Sequence, residues 1–119
     1  MRDPVEIVEE QIRAYARGDT AAFVATYEPD AVCAELPSGR IKARGQAEIA
    51  RLWGALFEGG PRQVNIPKRI VQGRFVTDYE HIVVERSGRT VEGVAIYLVG
   101  PEAIRNVWFL VEPTEGDAG

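Results

Sequence analysis

The stretch that decides how this chain is read is FVTDYEHIVVE, residues 75–85. Its β-branched and aromatic residues mark a strand. Alternation sets Asp78, Glu80, Ile82 and Val84 on one face, and Thr77, Tyr79, His81 and Val83 on the other. Both faces mix apolar and ionisable groups. Two carboxylates beside Ile and Val predict a polar zone within an otherwise apolar enclosure.

Working outward, three more segments read as strands: RQVNIPKRIVQG (62–73), RTVEGVAIYLVG (89–100) and AIRNVWFLVE (103–112). Pro67 predicts an edge strand or a bulge. The first half reads differently. Pro4 suits a first helical turn, and Val5, Val8, Ile12 and Tyr15 recur at helical spacing. Gly18 ends that helix and Asp19 caps a second, TAAFVATYE (20–28), closed by Pro29. AVCAELPSGRIKARG (31–45) predicts a small hairpin. Ile49, Leu52, Trp53, Leu56 and Phe57 predict a third amphipathic helix, stopped by Gly59-Gly60-Pro61. The expected fold is α+β: four long strands and a short hairpin in a curved antiparallel sheet, packed as a cone on three helices. One domain over residues 1–112 is predicted, with 113–119 (PTEGDAG) a disordered tail.

Composition narrows the function classes. The 119 residues suffice for one core. A net charge of −4 and no basic run argue against a nucleic-acid surface. The apolar runs are far too short for a membrane span, and with the acidic start MRDPVEIVEE no signal peptide is expected. A single cysteine, Cys33, excludes an internal disulfide and a multi-cysteine zinc site. Cytoplasmic location is the expectation. Neither a dinucleotide fingerprint nor a phosphate loop occurs, so no cofactor is expected. No metal site is expected either, because alternation sends His81 away from Asp78 and Glu80.

The order of elements resembles the nuclear transport factor 2-like superfamily, which includes ketosteroid isomerases, SnoaL-like polyketide cyclases and limonene epoxide hydrolase. AYARGDTAAFVATYEPDAV (14–32) is similar to the family's first-helix end, Gly-Asp step and second helix. GRIKARGQAEIARLW (39–53) resembles its approach to the third helix. RIVQGRFVTDYE (69–80) and VEGVAIYLVGPEAIRNVWFL (91–110) resemble strands of a SnoaL-like subgroup related to steroid isomerases. The resemblance covers roughly residues 5–111. It implies isomerase, cyclase or hydrolase chemistry on a small apolar molecule, and a homodimer through the outer sheet face. Counted from Asp30-Ala31, the isomerase base position falls on Glu35. The two oxyanion-donor positions fall on Gln11 and Ile96, neither of which is an acidic donor.

The expected site follows. Glu35 is the candidate base, with apolar Leu36, Trp53 and Trp108 to raise its pKa. Glu80, Glu92 and Arg69 form a second candidate group, for which the resemblance implies parts similar to those of the carboxylate–arginine–carboxylate sets that activate water in epoxide hydrolases of this fold, though at positions that do not match. Asp78, Ile96, Asn106 and Trp108 are expected to face the pocket from the strands. Gln11, Tyr15, Tyr27 and Trp53 line it from the other side. Tyr79, His81 and Tyr97 are expected outside, on the dimer face. Three readings stand side by side: an enzyme acting on a small, mostly apolar cyclic molecule, a non-catalytic binder of such a molecule, and an interaction module whose pocket is filled.

Overall fold

A computed structural model describes residues 1–113. The element order is α1 (Pro4–Arg17), α2 (Thr20–Ala25), β1 (Tyr27–Leu36), β2 (Ile41–Arg44), α3 (Gly45–Phe57), β3 (Arg62–Gln72), β4 (Phe75–Val84), β5 (Thr90–Val99) and β6 (Ile104–Leu110). This is the expected α+β arrangement of three helices on a curved, unclosed sheet. Residues 114–119, most of the expected tail, lie outside the described residues.

Local chemistry sets the helix ends. The Asp3 carboxylate accepts from the Val5 amide at 2.8 Å, and Pro4 opens α1. Gly18 takes φ 71°, a left-handed turn that a side chain would resist, and Asp19 N–H donates back to Ala14 O at 3.0 Å. Asp19 then caps α2 through the Ala22 amide at 3.1 Å. That helix is shorter than the sequence predicts. The Thr26 hydroxyl donates to Phe23 O at 2.7 Å and closes the last turn, so Tyr27 and Glu28 open β1 instead.

The strands form one sheet in the order β2-β1-β6-β5-β4-β3. It is not wholly antiparallel, because β1 and β6 pair in parallel. The first hairpin strand is therefore long and near the sheet centre, not a small appendage. Pro67 lies on edge strand β3 at a register shift between Asn65 and Lys68, as its missing N–H predicts.

The core lies between the concave face and the helices. Phe23 is its hub, with ring centroids 5.2 Å from Tyr27, 5.4 Å from Trp53 and 5.5 Å from Phe57. Such tilted and edge contacts suit the ring quadrupoles.

Register corrects the expected facing of two strands. Asp78 stands opposite Ala95, Glu80 opposite Gly93, and Val76 opposite Tyr97. Opposed residues share a face, so β5 turns Gly93, Ala95, Tyr97 and Val99 inward. Glu92 and Ile96, expected inside, lie on the outer face. On β6, Val107 and Phe109 face inward, opposite Tyr97 and Ala95. Asn106 and Trp108 are therefore outside as well. Both sets of each strand are rich in apolar residues, so alternation alone cannot fix the phase. Packing fixes it: small Gly93 and Ala95 sit beside the two carboxylates of β4, where larger side chains would crowd them.

Candidate functional site

Asp78 and Glu80 share a face, as alternation predicts, and that face turns to the helices, yet they meet different surroundings. Asp78 is fully buried. Arg69, its cross-strand neighbour on β3, grips it with two hydrogen bonds of 2.6 and 2.9 Å. A third bond runs from Arg69 to Glu9 on α1. Arg69 is thus the expected counter-charge, but its partners are Asp78 and Glu9. Glu80 and Glu92 take no part. The cluster ties α1 to β3 and β4, and its carboxylates push the Arg69 pKa upward.

Glu80 has no such partner. Among the described residues no cation pairs with it. Burial, reinforced by the nearby Asp78 charge, raises its carboxyl to about 7, while the neighbouring Tyr97 phenol pulls it the other way. Two carboxylates two residues apart are thus driven to different protonation behaviour by their environments.

Glu80 opens into a cavity of about 250 Å³ between α1, α3 and the sheet. Tyr15, Gln11 and Tyr97 surround its polar end, and Trp53, Phe109 and Leu56 form apolar wall. Tyr97 was expected outside. It is 1% exposed and faces inward. Its hydroxyl donates to Gln11 Oε1 at 3.5 Å, and Gln11 Nε2 donates to Tyr27 Oη at 3.1 Å. Burial raises the pKa of Tyr97, Tyr27 and Tyr15, so all three phenols stay protonated donors at neutral pH. Tyr15 also feels the Arg62 guanidinium 5.5 Å from its ring, which acts in the opposite sense. Ile96, counted as a donor position, points away, while its neighbour Tyr97 presents a phenol to the cavity. Tyr27 lies beneath the cavity wall in the core.

Glu35 stands apart. Its register beside Phe109 gives it the inward phase, but it lies near the strand end and borders a separate groove with Pro37, Ser38 and Arg40. Arg40 Nε holds it at 3.1 Å. Trp108, expected to raise its pKa, is on the far side of the sheet. On that outer face Glu92 accepts from the Tyr79 hydroxyl at 2.8 Å and lies 3.8 Å from His81.

The structure thus brings together Gln11, Tyr15, Trp53 and Glu80, and adds Tyr97, Phe109 and Lys42, which the sequence reading missed. Phe109 was missed with the phase of β6. Lys42 had no signal in alternation, because a bulge decides where it points. Among the described residues no His/Cys/Asp/Glu cluster could hold a metal ion, and no helix is long and apolar enough to cross a membrane.

A curved sheet wrapped on three helices, with a cavity at its mouth, defines the nuclear transport factor 2-like class. The chain matches the SnoaL-like domain over residues 8–107 and belongs to that family. Its structure resembles an uncharacterised cystatin-fold protein from Novosphingobium aromaticivorans, with TM-score 0.81, 21% identity, and 93% of this chain and 100% of that one covered. It also resembles a protein from Sinorhizobium meliloti provisionally described as a polyketide cyclase, with TM-score 0.72, 20% identity and coverages of 91% and 99%. A de novo designed protein with a curved β-sheet gives TM-score 0.75 at 18% identity, with 92% and 85% covered. At these identities the likeness is one of fold. No curated protein matches the chain significantly.

Proposed function

We propose that this protein binds a small, mostly apolar ring compound in the cavity and that Glu80 exchanges a proton with it. One observation carries the reading: a half-buried carboxylate with no cation among the described residues, titrating near 7, faces an apolar cavity beside protonated phenols. A carboxylate poised near neutral pH is an efficient general base, and buried phenols can stabilise the negative charge that develops when the proton leaves. A volume of about 250 Å³ falls below the roughly 300–1,000 Å³ of pockets for drug-sized ligands. The ligand is therefore of one or two rings, which suits isomerase, cyclase or hydrolase substrates smaller than a steroid. Membership of the SnoaL-like family supports this class.

The test is tryptophan fluorescence during titration with one- and two-ring enones and terpene epoxides, followed by product analysis of every binder. Saturable quenching of the Trp53 fluorescence is expected. Turnover is expected to rise with pH through about 7 and to fall on the order of a hundredfold or more in Glu80→Gln. Binding without any change in the ligand would leave a binding protein and remove the catalytic role.

A homodimer through the outer sheet face belongs to the same proposal. That face carries half-buried Trp108, Ile96 and Val94 beside exposed Phe75, Tyr79 and Leu110, an apolar surface suited to a second copy. Sedimentation equilibrium at micromolar concentration is expected to give about twice the chain mass of 13.1 kDa. A monomer there would refute it.

A further inference from the structure

The pairing of β1 with β2 slips by one residue. Ala34 faces Ile41 and Cys33 faces Ala43, so Lys42 has no partner. In such a bulge two residues oppose one, and the strand bends to re-aim a side chain. Plain alternation would send Lys42 away from buried Ala43 and out of the cone. Instead its ammonium stands 4.9 Å from the centroid of the Phe109 ring and 5.7 Å from that of Trp53. Both rings line the cavity, and their faces attract the cation.

Lys42 is the one cation on the cavity wall among the described residues. No carboxylate among those residues pairs with it. Glu35 is held by Arg40, and Glu92, at the rim, is turned to the Tyr79 hydroxyl. Three strands separate β2 from β4 in the sheet, so Lys42 and Glu80 stand on opposite walls of the curve.

From this placement we infer that the cavity takes an anion: a one- or two-ring compound bearing a carboxylate or similarly acidic oxygen, which sits on Lys42 while the rings lie along Trp53 and Phe109. The far end of such a ligand is then directed at Glu80, away from its own negative group. The inference rests on the cavity being a ligand site, and it adds the chemical class of that ligand.

Calorimetric titration with 2-naphthoate and its neutral counterpart 2-naphthalenemethanol tests it, in the wild type, Lys42→Met and Lys42→Arg. Lys42 is exposed, so both variants are expected to fold. The wild type is expected to bind the acid about fivefold tighter than the alcohol at low salt, as a solvent-accessible ion pair allows, and added salt should shrink the difference. Lys42→Met should abolish the preference without weakening the alcohol, and Lys42→Arg should keep it. Equal binding of the two probes by the wild type, or a preference that survives Lys42→Met, overturns the inference and leaves the cavity as a site for neutral rings. Binding of neither probe overturns the ligand-site reading itself, and the inference with it.

Discussion

Arg69→Leu is expected to lower stability by about 3–5 kcal/mol, the usual loss when one partner of a buried ion pair is removed. Asp78 is fully buried, and Arg69 supplies both of the hydrogen bonds that compensate its charge from the sheet. Without the guanidinium, Asp78 must stay charged in an apolar setting or take up a proton, so the loss should grow with pH. Urea denaturation followed by circular dichroism at pH 5 and pH 8 measures both effects. The double variant Arg69→Leu/Asp78→Leu should regain much of the loss, because it removes the stranded charge. Glu9→Gln should cost only about 1 kcal/mol or less, since the Glu9 side chain is 43% exposed and solvent screens it. A loss below about 1 kcal/mol in Arg69→Leu would show that the cluster does not hold α1 on the sheet in the way its geometry implies.

The second large effect has the opposite sign. Glu80→Gln is expected to stabilise the protein at pH 8 by up to about 3 kcal/mol, and by almost nothing near pH 4.5. The folded carboxyl titrates at about 7 against an ordinary 4.5. Between those values the folded state holds a proton that the unfolded chain has released. The stability that goes with protonated Glu80 is complete below about 4.5 and is lost as pH rises through about 7. Glutamine is always neutral and suffers no such loss. Parallel urea melts of the two proteins across this range provide the check, and a difference that does not change with pH would mean that Glu80 is not desolvated. With the expected loss of turnover, this result would mark a residue kept at a cost in stability, as functional sites commonly are.

The two predictions separate residues that the sequence presents as equals. Asp78 and Glu80 were legible as two carboxylates sharing one face of β4, because alternation pairs them, and the family resemblance alone pointed that face inward. Which of them is neutralised was not legible. It depends on Arg69 lying directly across from Asp78, a matter of register, and on Glu9 reaching over from α1. Glu35 shows the converse. Its chain position resembles that of a catalytic base, yet Arg40, five residues on, holds it outside the cavity.

The phase of β5 and β6 marks the same limit. Glu92, Ile96, Asn106 and Trp108 were expected inside, and Tyr97 outside. Both faces of these strands carry apolar side chains, and a shift of one residue exchanges all of them. The choice falls to contacts between distant segments: Gly93 and Ala95 beside the carboxylates, Tyr97 above Gln11. Lys42 is subtler still, since a single unpaired residue in β2 sends it to the mouth of the cavity.

The sequence by itself determined the three helices and most of their ends, the hairpin, the run of long strands, an edge or bulge at Pro67, the α+β class and its family. These follow from signals within a few residues of one another: helical and strand periodicity, Asp caps, glycine and proline stops. Only the tertiary structure decided that β1 runs parallel to β6 at the sheet centre, which strand faces turn inward, and that Glu80 alone of the acidic side chains is left half-buried without a cation among the described residues. Those outcomes are set by pairing and burial between segments far apart in the chain, and a local pattern carries no record of its distant neighbours.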